Sequence, residues 1–282
     1  MIKVLKAGFY TTIQDLGRVG CQQYGVPLSG VMDKRAAILA NTLVGNTANA
    51  AVLEITMSGP HLQFECNSAI AITGANMSPV LHHKRIGNNR YISVSKGDIL
   101  SFGALQSGFR CYLAISGGFK TQKILGSKSM FKGITKSYSI TKNTTLTISQ
   151  NSKIQQEHFA GVKIDDSYVK AKTLEVFPGI EFDMLSKTQK QKLFSESFSI
   201  SKDNNRMAYQ LNETIENALE GIITSPVLPG TVQLTPSGKL IVLMRDCQTT
   251  GGYPRVMQLT ENAISSLSQK FVGEKIVFKL KN

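Results

Sequence analysis

Residues 245–255, RDCQTTGGYPR, set a carboxylate, an amide, two hydroxyls, two glycines and a tyrosine directly after the apolar run KLIVLM. A surface turn needs one glycine and an Asp or Asn, whereas here nearly every side chain can bond a ligand. Asp246 follows a hydrophobic strand, Gln248 offers a donor and an acceptor, Thr249 and Thr250 offer hydroxyls, and Gly251 and Gly252 expose backbone N–H groups. Tyr253 can orient a substrate, and Pro254 stiffens the exit. The competing structural reading is a turn with Tyr253 buried against a barrel end. So many polar groups are costly to bury without partners, which favours a site.

A second polar region, TTIQDLGRVGCQQYGVPLSGVMD, spans 11–33. Its glycines at 17, 20, 25 and 30 let the main chain approach a ligand closely. Asp15 and Arg18 stand three apart, near enough to pair with each other or to grip a carboxylate, amide or phosphate between them. A purely structural Asp–Arg pair that fastens the loop fits the same spacing equally well.

Several chemistries lack their residues. There is no GxxxxGK[ST] phosphate loop, no GxGxxG, no GxSxG elbow and no HExxH, and the Met-Lys-Met turn that accepts biotin is absent, so biotin is not attached to this chain. Cys21, Cys66, Cys111 and Cys247 form no CxxC pair, and the adjacent His82 and His83 point to opposite faces of a strand, so no metal site is expected. The net charge of +13 comes from lysines spread along the chain, the densest run being SKTQKQK at 186–192, with no nucleic-acid motif beside them. A solvated basic surface is the expectation, not nucleic-acid binding. The start of the chain does not read as a signal peptide, and no eighteen-residue apolar run exists to cross a membrane, so a cytoplasmic protein is expected.

The elements that must position these loops are mainly strands. AVLEITMSGPHLQFEC, RYISVSKGDILSF and TVQLTPSGKLIVLM each read as two short strands about a Gly-containing turn, with Leu62, Phe64 and Cys66 on one face. Turn signals every dozen or so residues indicate barrels or sandwiches. Helices are few: one from Asp33, as cap, to Val44 with Gly45 as stop, one over 185–195, and one beginning near Glu261. A Ser/Thr/Lys-rich middle, 126–155, suits a long exposed connection or weak strands, and the boundary between halves falls near 168, giving domains 1–168 and 169–282. SGFRCYLAISGGF and SGKLIVLMRDCQTTGGY echo each other faintly across the halves.

The residues TTIQDLGRVG...GVPLSGVMD, TGANMSPV, AISGGF, LGSKS, NRMAYQL, PVLPGTVQL and RDCQTTGGYPR, in this order from about Gly8 to Arg255, resemble the carboxyltransferase subdomain A/B family. That family includes the C component of 5-oxoprolinase, the KipA-type proteins and a region of urea carboxylase. The resemblance implies two cyclophilin-like β-barrel domains, and ATP with Mg in an assembled complex. The partners it implies are a KipI-type protein and a LamB/YcsF-type protein, the B and A components of that complex. Hydrolysis of ATP would drive opening of 5-oxoproline to glutamate, with this chain inactive alone. The resemblance further implies that Gln14, Asp15, Gly17, Arg18, Asp33, Asn41 and Glu54 of the first half meet Asp246, Gln248, Thr249, Thr250, Gly252 and Tyr253 of the second. In that arrangement Asp15, Arg18 and Asp246 are the catalytic candidates, and Gln14, Asp33, Asn41, Glu54, Gln248, Thr249, Thr250, Gly252 and Tyr253 bind substrate.

The chain departs from the family after LGSKS, where MFKGITKSYSITKNTTL replaces a glycine-rich stretch, and at Ala208, where glycine is common. No site residue is therefore assigned to 127–145. Two other functions fit the same resemblance: a KipA-type regulator that sequesters an inhibitor of a histidine kinase, and a carboxyltransferase acting on urea or a similar amide with biotin carried by another protein.

Overall fold

The computed structural model describes residues 1–149 and 165–281, so the end of the Ser/Thr/Lys-rich stretch, 150–155, lies outside the described residues. The chain is mainly β and divides into two compact units, Met1–Arg18 with Asp33–Val169, and Val19–Met32 with Lys170–Asn282. The division read from sequence at 168/169 lies beside the break at Val169, but the loop 19–32 is counted with the second unit rather than the first.

In the first unit the described strands form two sheets. One runs in the order Thr145–Leu146, Ile2–Lys6, His61–Phe64, Ile99–Phe102, Pro79–Leu81, Lys84–Arg85, and the other Tyr10–Gln14, Val52–Thr56, Ser107–Ile115, Ser68–Asn76, Tyr91–Val94. Alternate residues of both sheets meet in one core: Ile2, Val4, Leu62, Phe64 and Leu100 from the first, Ile13, Leu53, Ile55, Ile70, Ile72 and Leu113 from the second. The period-two pattern thus reports the buried face correctly, with Cys66 packed partly buried against that core.

Two of the three strand pairs expected from sequence are corners and not hairpins. Val52–Thr56 and His61–Phe64 lie in different sheets, as do Tyr91–Val94 and Ile99–Phe102. At the first corner Met57 adopts a left-handed φ of 63°, and Gly59 lies so close to Phe102 that a Cβ there would fall 2.3 Å from the ring. Only glycine leaves room for the chain to cross between sheets here. Thr231–Leu234 and Lys239–Leu243 do pair directly, as their Pro-Ser-Gly turn suggested.

The second unit is a closed seven-stranded barrel in the order Thr173–Pro178, Arg255–Leu259, Thr231–Leu234, Lys239–Leu243, Ala208–Thr214, Phe198–Asn204, Lys275–Leu280. Closure removes free edges and lets Val176, Phe198, Leu211, Val232, Val242, Met257 and Phe278 fill one interior.

The Asp33 helix starts at its expected cap, and the other two begin within two residues of the positions read from sequence. Asp33 accepts from the Ala36 N–H and opens Lys34–Leu43, whose Ala36, Ala37 and Ala40 are buried. Ser186 and Gln189 make a reciprocal capping box at Lys187–Ser195, and Thr260 caps Glu261–Ser268. Among the described residues no helix is long and apolar enough to cross a membrane.

Candidate functional site

The strand Tyr10–Gln14 delivers Asp15 into the turn that carries Gly17 and Arg18. Asp15 is 4% exposed, and its acceptor positions are filled by the chain itself. Oδ1 accepts from Ser127 Oγ at 2.6 Å, Ser129 Oγ at 2.7 Å and the Gly17 N–H at 2.9 Å, and Oδ2 from the Lys128 N–H at 2.6 Å. Ser129 Oγ in turn accepts the Asp15 N–H, and Ser127 Oγ accepts the Ser129 N–H. Arg18, fully buried, donates from Nε to Ile124 O at 3.2 Å and from Nη2 to Ser129 O. Gln14 donates to Thr12 Oγ1 and Met130 O. The three residues are thus tied to the segment 124–130, which overlaps the start of 127–145, the region to which sequence reasoning assigned no site residue. The alternation of serines at 127 and 129 in LGSKS was the available signal for a carboxylate partner.

A second polar chain runs through the same unit. Tyr112 Oη donates to Glu54 Oε2 at 2.9 Å and accepts the Asp33 N–H at 2.8 Å, while Tyr168 Oη donates to Asp33 Oδ2 at 2.7 Å. Arg110 stands with Nε 4.0 Å from Glu54 Oε1. Burial pushes the Tyr112 phenol well above its ordinary range, with the Glu54 and Asp33 charges adding to it, and burial followed by Asp33 does the same for Tyr168. Both phenols therefore stay protonated and serve as fixed donors to carboxylates. Asn41 holds the end of its helix, donating to Ala50 O at 2.7 Å and accepting from Asn46 Nδ2 at 3.1 Å. Asp33, Asn41 and Glu54 are all buried and bonded to neighbours within the unit.

In the second unit the strand Lys239–Leu243 opens into the polar stretch of 245–255. Arg245, 2% exposed, bonds Glu261, and its carbonyl accepts the Ser29 N–H at 2.8 Å. Asp246 takes Nε and Nη2 of Arg206 at 2.8 and 3.2 Å, and Arg206 Nη2 also donates to Gly30 O at 2.6 Å. A forked guanidinium thus holds Asp246 at the strand end, bound also to the PLSG loop. Beyond it the backbone is pinned while side chains stay accessible. Thr250–Gly251 pairs with Ser225–Pro226, Thr249 O accepts the Val227 N–H, and Gly252 O accepts the Ile222 N–H. Gln248, Thr250 and Tyr253 are exposed, Tyr253 by 42%, so Tyr253 does not cap the barrel end. The stretch closes with Arg255, which grips Glu181 through Nε at 3.0 Å and Nη2 at 2.7 Å. Burial, with the Asp246 charge, pushes the Cys247 thiol up to about 12, so it is an inert packing group.

Arg206, Glu181, Tyr112, Tyr168, Ser127 and Ser129 were not named from sequence as partners of these groups. Arg206 lies in NRMAYQL, a stretch that marked the resemblance without suggesting which carboxylate it meets. Among the described residues no group of three or more His, Cys, Asp or Glu could hold a metal ion.

The family model "Carboxyltransferase domain, subdomain A and B" matches residues 24–280. The C component of the Escherichia coli (strain K12) 5-oxoprolinase is 32% identical over 99% of this chain and 90% of its own length. The component of the same name from Haemophilus influenzae is 28% identical over 99% and 91%. The crystal structure of the K. lactis urea amidolyase superposes with a TM-score of 0.88 at 25% identity over 98% of this chain, which spans only 18% of that protein.

Proposed function

The chain belongs to the carboxyltransferase domain, subdomain A and B, family, and from that premise we propose that it is the C component of an ATP-dependent 5-oxoprolinase, opening 5-oxoproline to glutamate with two further proteins. The observation that carries this reading is the match to the E. coli C component through 99% of this chain and 90% of that protein. The urea amidolyase shares the fold, but this chain corresponds to a small part of it. A biotin-linked carboxyltransferase is the second reading for that reason.

The lactam is a resonance-stabilised amide, so water attacks it only once its oxygen is activated, in this reading by phosphorylation from ATP. The residues supporting a role for this chain are those of 246–253. Asp246, fixed by Arg206, positions a proton or nucleophile, and the accessible Gln248, Thr249, Thr250, Gly252 and Tyr253 hold the substrate. Asp15 through its carboxylate, and Arg18 through Nε and Nη2, are bonded to 124–130 and serve as positioning residues that keep the 15–18 turn rigid. Asp33, Asn41, Glu54 and Gln14 support from within. No described residue is assigned to ATP or Mg. The partners in this reading are a KipI-type protein and a LamB/YcsF-type protein, in a cytoplasmic hetero-oligomer.

The test is glutamate release from 5-oxoproline and ATP by the assembled complex, with each component omitted in turn. Activity that vanishes without this chain is the expected outcome. Release that continues without it removes the reading, and carboxylation of urea by a biotinylated partner would establish the second.

A further inference from the structure

Residues 99–149 hold six lysines and no aspartate or glutamate. In the first unit the end of this stretch runs along one side, from the edge strand of one sheet, Tyr10–Gln14, to the edge strand of the other, Thr145–Leu146. Thr11 O accepts the Ile140 N–H at 2.8 Å and Tyr10 Oη donates to Tyr138 O at 3.3 Å. Val4 O then accepts the Asn143 N–H at 2.8 Å, and the Val4 N–H donates to Thr144 O at 2.9 Å. These bonds set the exposed Lys136 and Lys142 on segments adjoining the one that carries the exposed Lys3 and Lys6.

None of these four lysines enters an ion pair among the described residues. Asp15 and Glu54 of the neighbouring strands are buried and bonded inside the unit, and Glu65, whose N–H donates to Met1 O, stands at the Met1 end of the strand, away from Lys6. The side is therefore electropositive. It also leaves aromatic carbon bare, since Phe9 is 64% and Tyr138 51% exposed. Exposed rings among charges are the composition of a protein contact, with an apolar centre and a polar rim. A second copy of this chain is a poor occupant, because a two-fold contact would set the same lysines against one another. Residues 1–14 and 130–149 contain no arginine, so the forked grip that suits a phosphate is missing as well.

We propose that this side of the first unit docks a protein partner whose own face sets Asp and Glu side chains around apolar ones. Phe9 and Tyr138 pack against the apolar part, and Lys3, Lys6, Lys136 and Lys142 meet the carboxylates. Naming that partner as one of the two further components of the complex rests on the function proposed above, while the demand for a carboxylate-bearing face rests on this side alone.

The full-length chain is mixed with each component, association is followed by surface plasmon resonance at increasing salt, and contacts are fixed with a carbodiimide, which joins a lysine Nζ to a carboxylate it touches. Amide links from Lys3, Lys6, Lys136 or Lys142 to an Asp or Glu of one component are expected. Lys136→Glu combined with Lys142→Glu is expected to slow association about tenfold and to flatten its salt dependence, whereas Phe9→Ala combined with Tyr138→Ala is expected to speed dissociation about tenfold. All four side chains are exposed, so both double variants are expected to keep the wild-type circular dichroism spectrum. Association unchanged in both variants, links confined to other lysines, or no association with either component overturns the proposal. A single-stranded oligonucleotide or phosphatidylserine vesicles held by these lysines more tightly than either component would give the side to phosphate and overturn it too. Glutamate release is read separately: a complex that forms through this side without releasing glutamate removes the 5-oxoprolinase reading and keeps the docking side, and one that releases glutamate yet ignores both variants does the reverse.

Discussion

Ser127 Oγ lies 2.6 Å from Oδ1 of Asp15, across 112 residues of sequence, and Ser129 Oγ lies 2.7 Å from the same oxygen. Asp15 thus acts as the anchor of the 124–130 segment. Asp15→Asn replaces an acceptor with a donor facing donors, and should destabilise the chain by about 3 kcal/mol in urea unfolding, against about 1 kcal/mol for Ser127→Ala. If Asp15→Asn instead abolishes turnover in a complex of wild-type stability, the residue is a catalytic group and not an anchor.

Asp246 should separate the other way. Asp246→Asn keeps the shape but weakens the bonds to Arg206, at about 1–3 kcal/mol, and leaves the barrel folded. Turnover of the assembled complex should fall by at least ~100-fold, the scale of a lost general acid or base. Wild-type rates in this variant would remove Asp246 from the mechanism.

The neighbouring glycines of the same loop make unequal demands. A Cβ on Gly251 would stand 2.5 Å from Nε2 of Gln233, a residue 1% exposed, whereas one on Gly252 would meet only Ile222 O, at an ordinary 3.6 Å. Gly251→Ala should cost about 1–3 kcal/mol through forced repacking. Gly252→Ala should stay within about 0.5 kcal/mol of wild type, so any activity it loses reports contact with substrate. Equal melting temperatures for the two variants would contradict this geometry.

Acid sensitivity should trace in part to Glu181. Its hydrogen bonds from Arg255 hold its carboxyl below the ordinary value of 4.5. The folded-state value is depressed, so this contribution is fully present above 4.5 and is lost as pH falls through the folded-state value, because the unfolded chain takes up the proton first. The stability gap between wild type and Glu181→Gln should therefore narrow on acidification below 4.5. A gap that stays constant across that range in urea titrations would show that the pair contributes nothing pH-linked.

The β-rich class, the buried faces of the strands, the Asp33 helix with its cap, and the family were all legible in the order of the residues. Each is written in local patterns: alternation at Leu62 and Phe64 reports one buried face, and an Asp before an alanine stripe reports a helix start. Local composition also marked 245–255 as a polar stretch worth a site.

What those patterns meet was settled by packing. Residues 52–56 and 61–64 were visible as strands, but that they cross between sheets depends on the close contact of Gly59 with Phe102, which lies far along the chain. The partners of the ionisable groups were hidden for the same reason: Asp15 finds Ser127, Asp246 finds Arg206 40 residues away, and Arg255 finds Glu181 at 74. A buried charge must be bonded, so the sequence can say that a partner exists. Which residue answers is fixed when the sheets close, because distance in space then replaces distance along the chain.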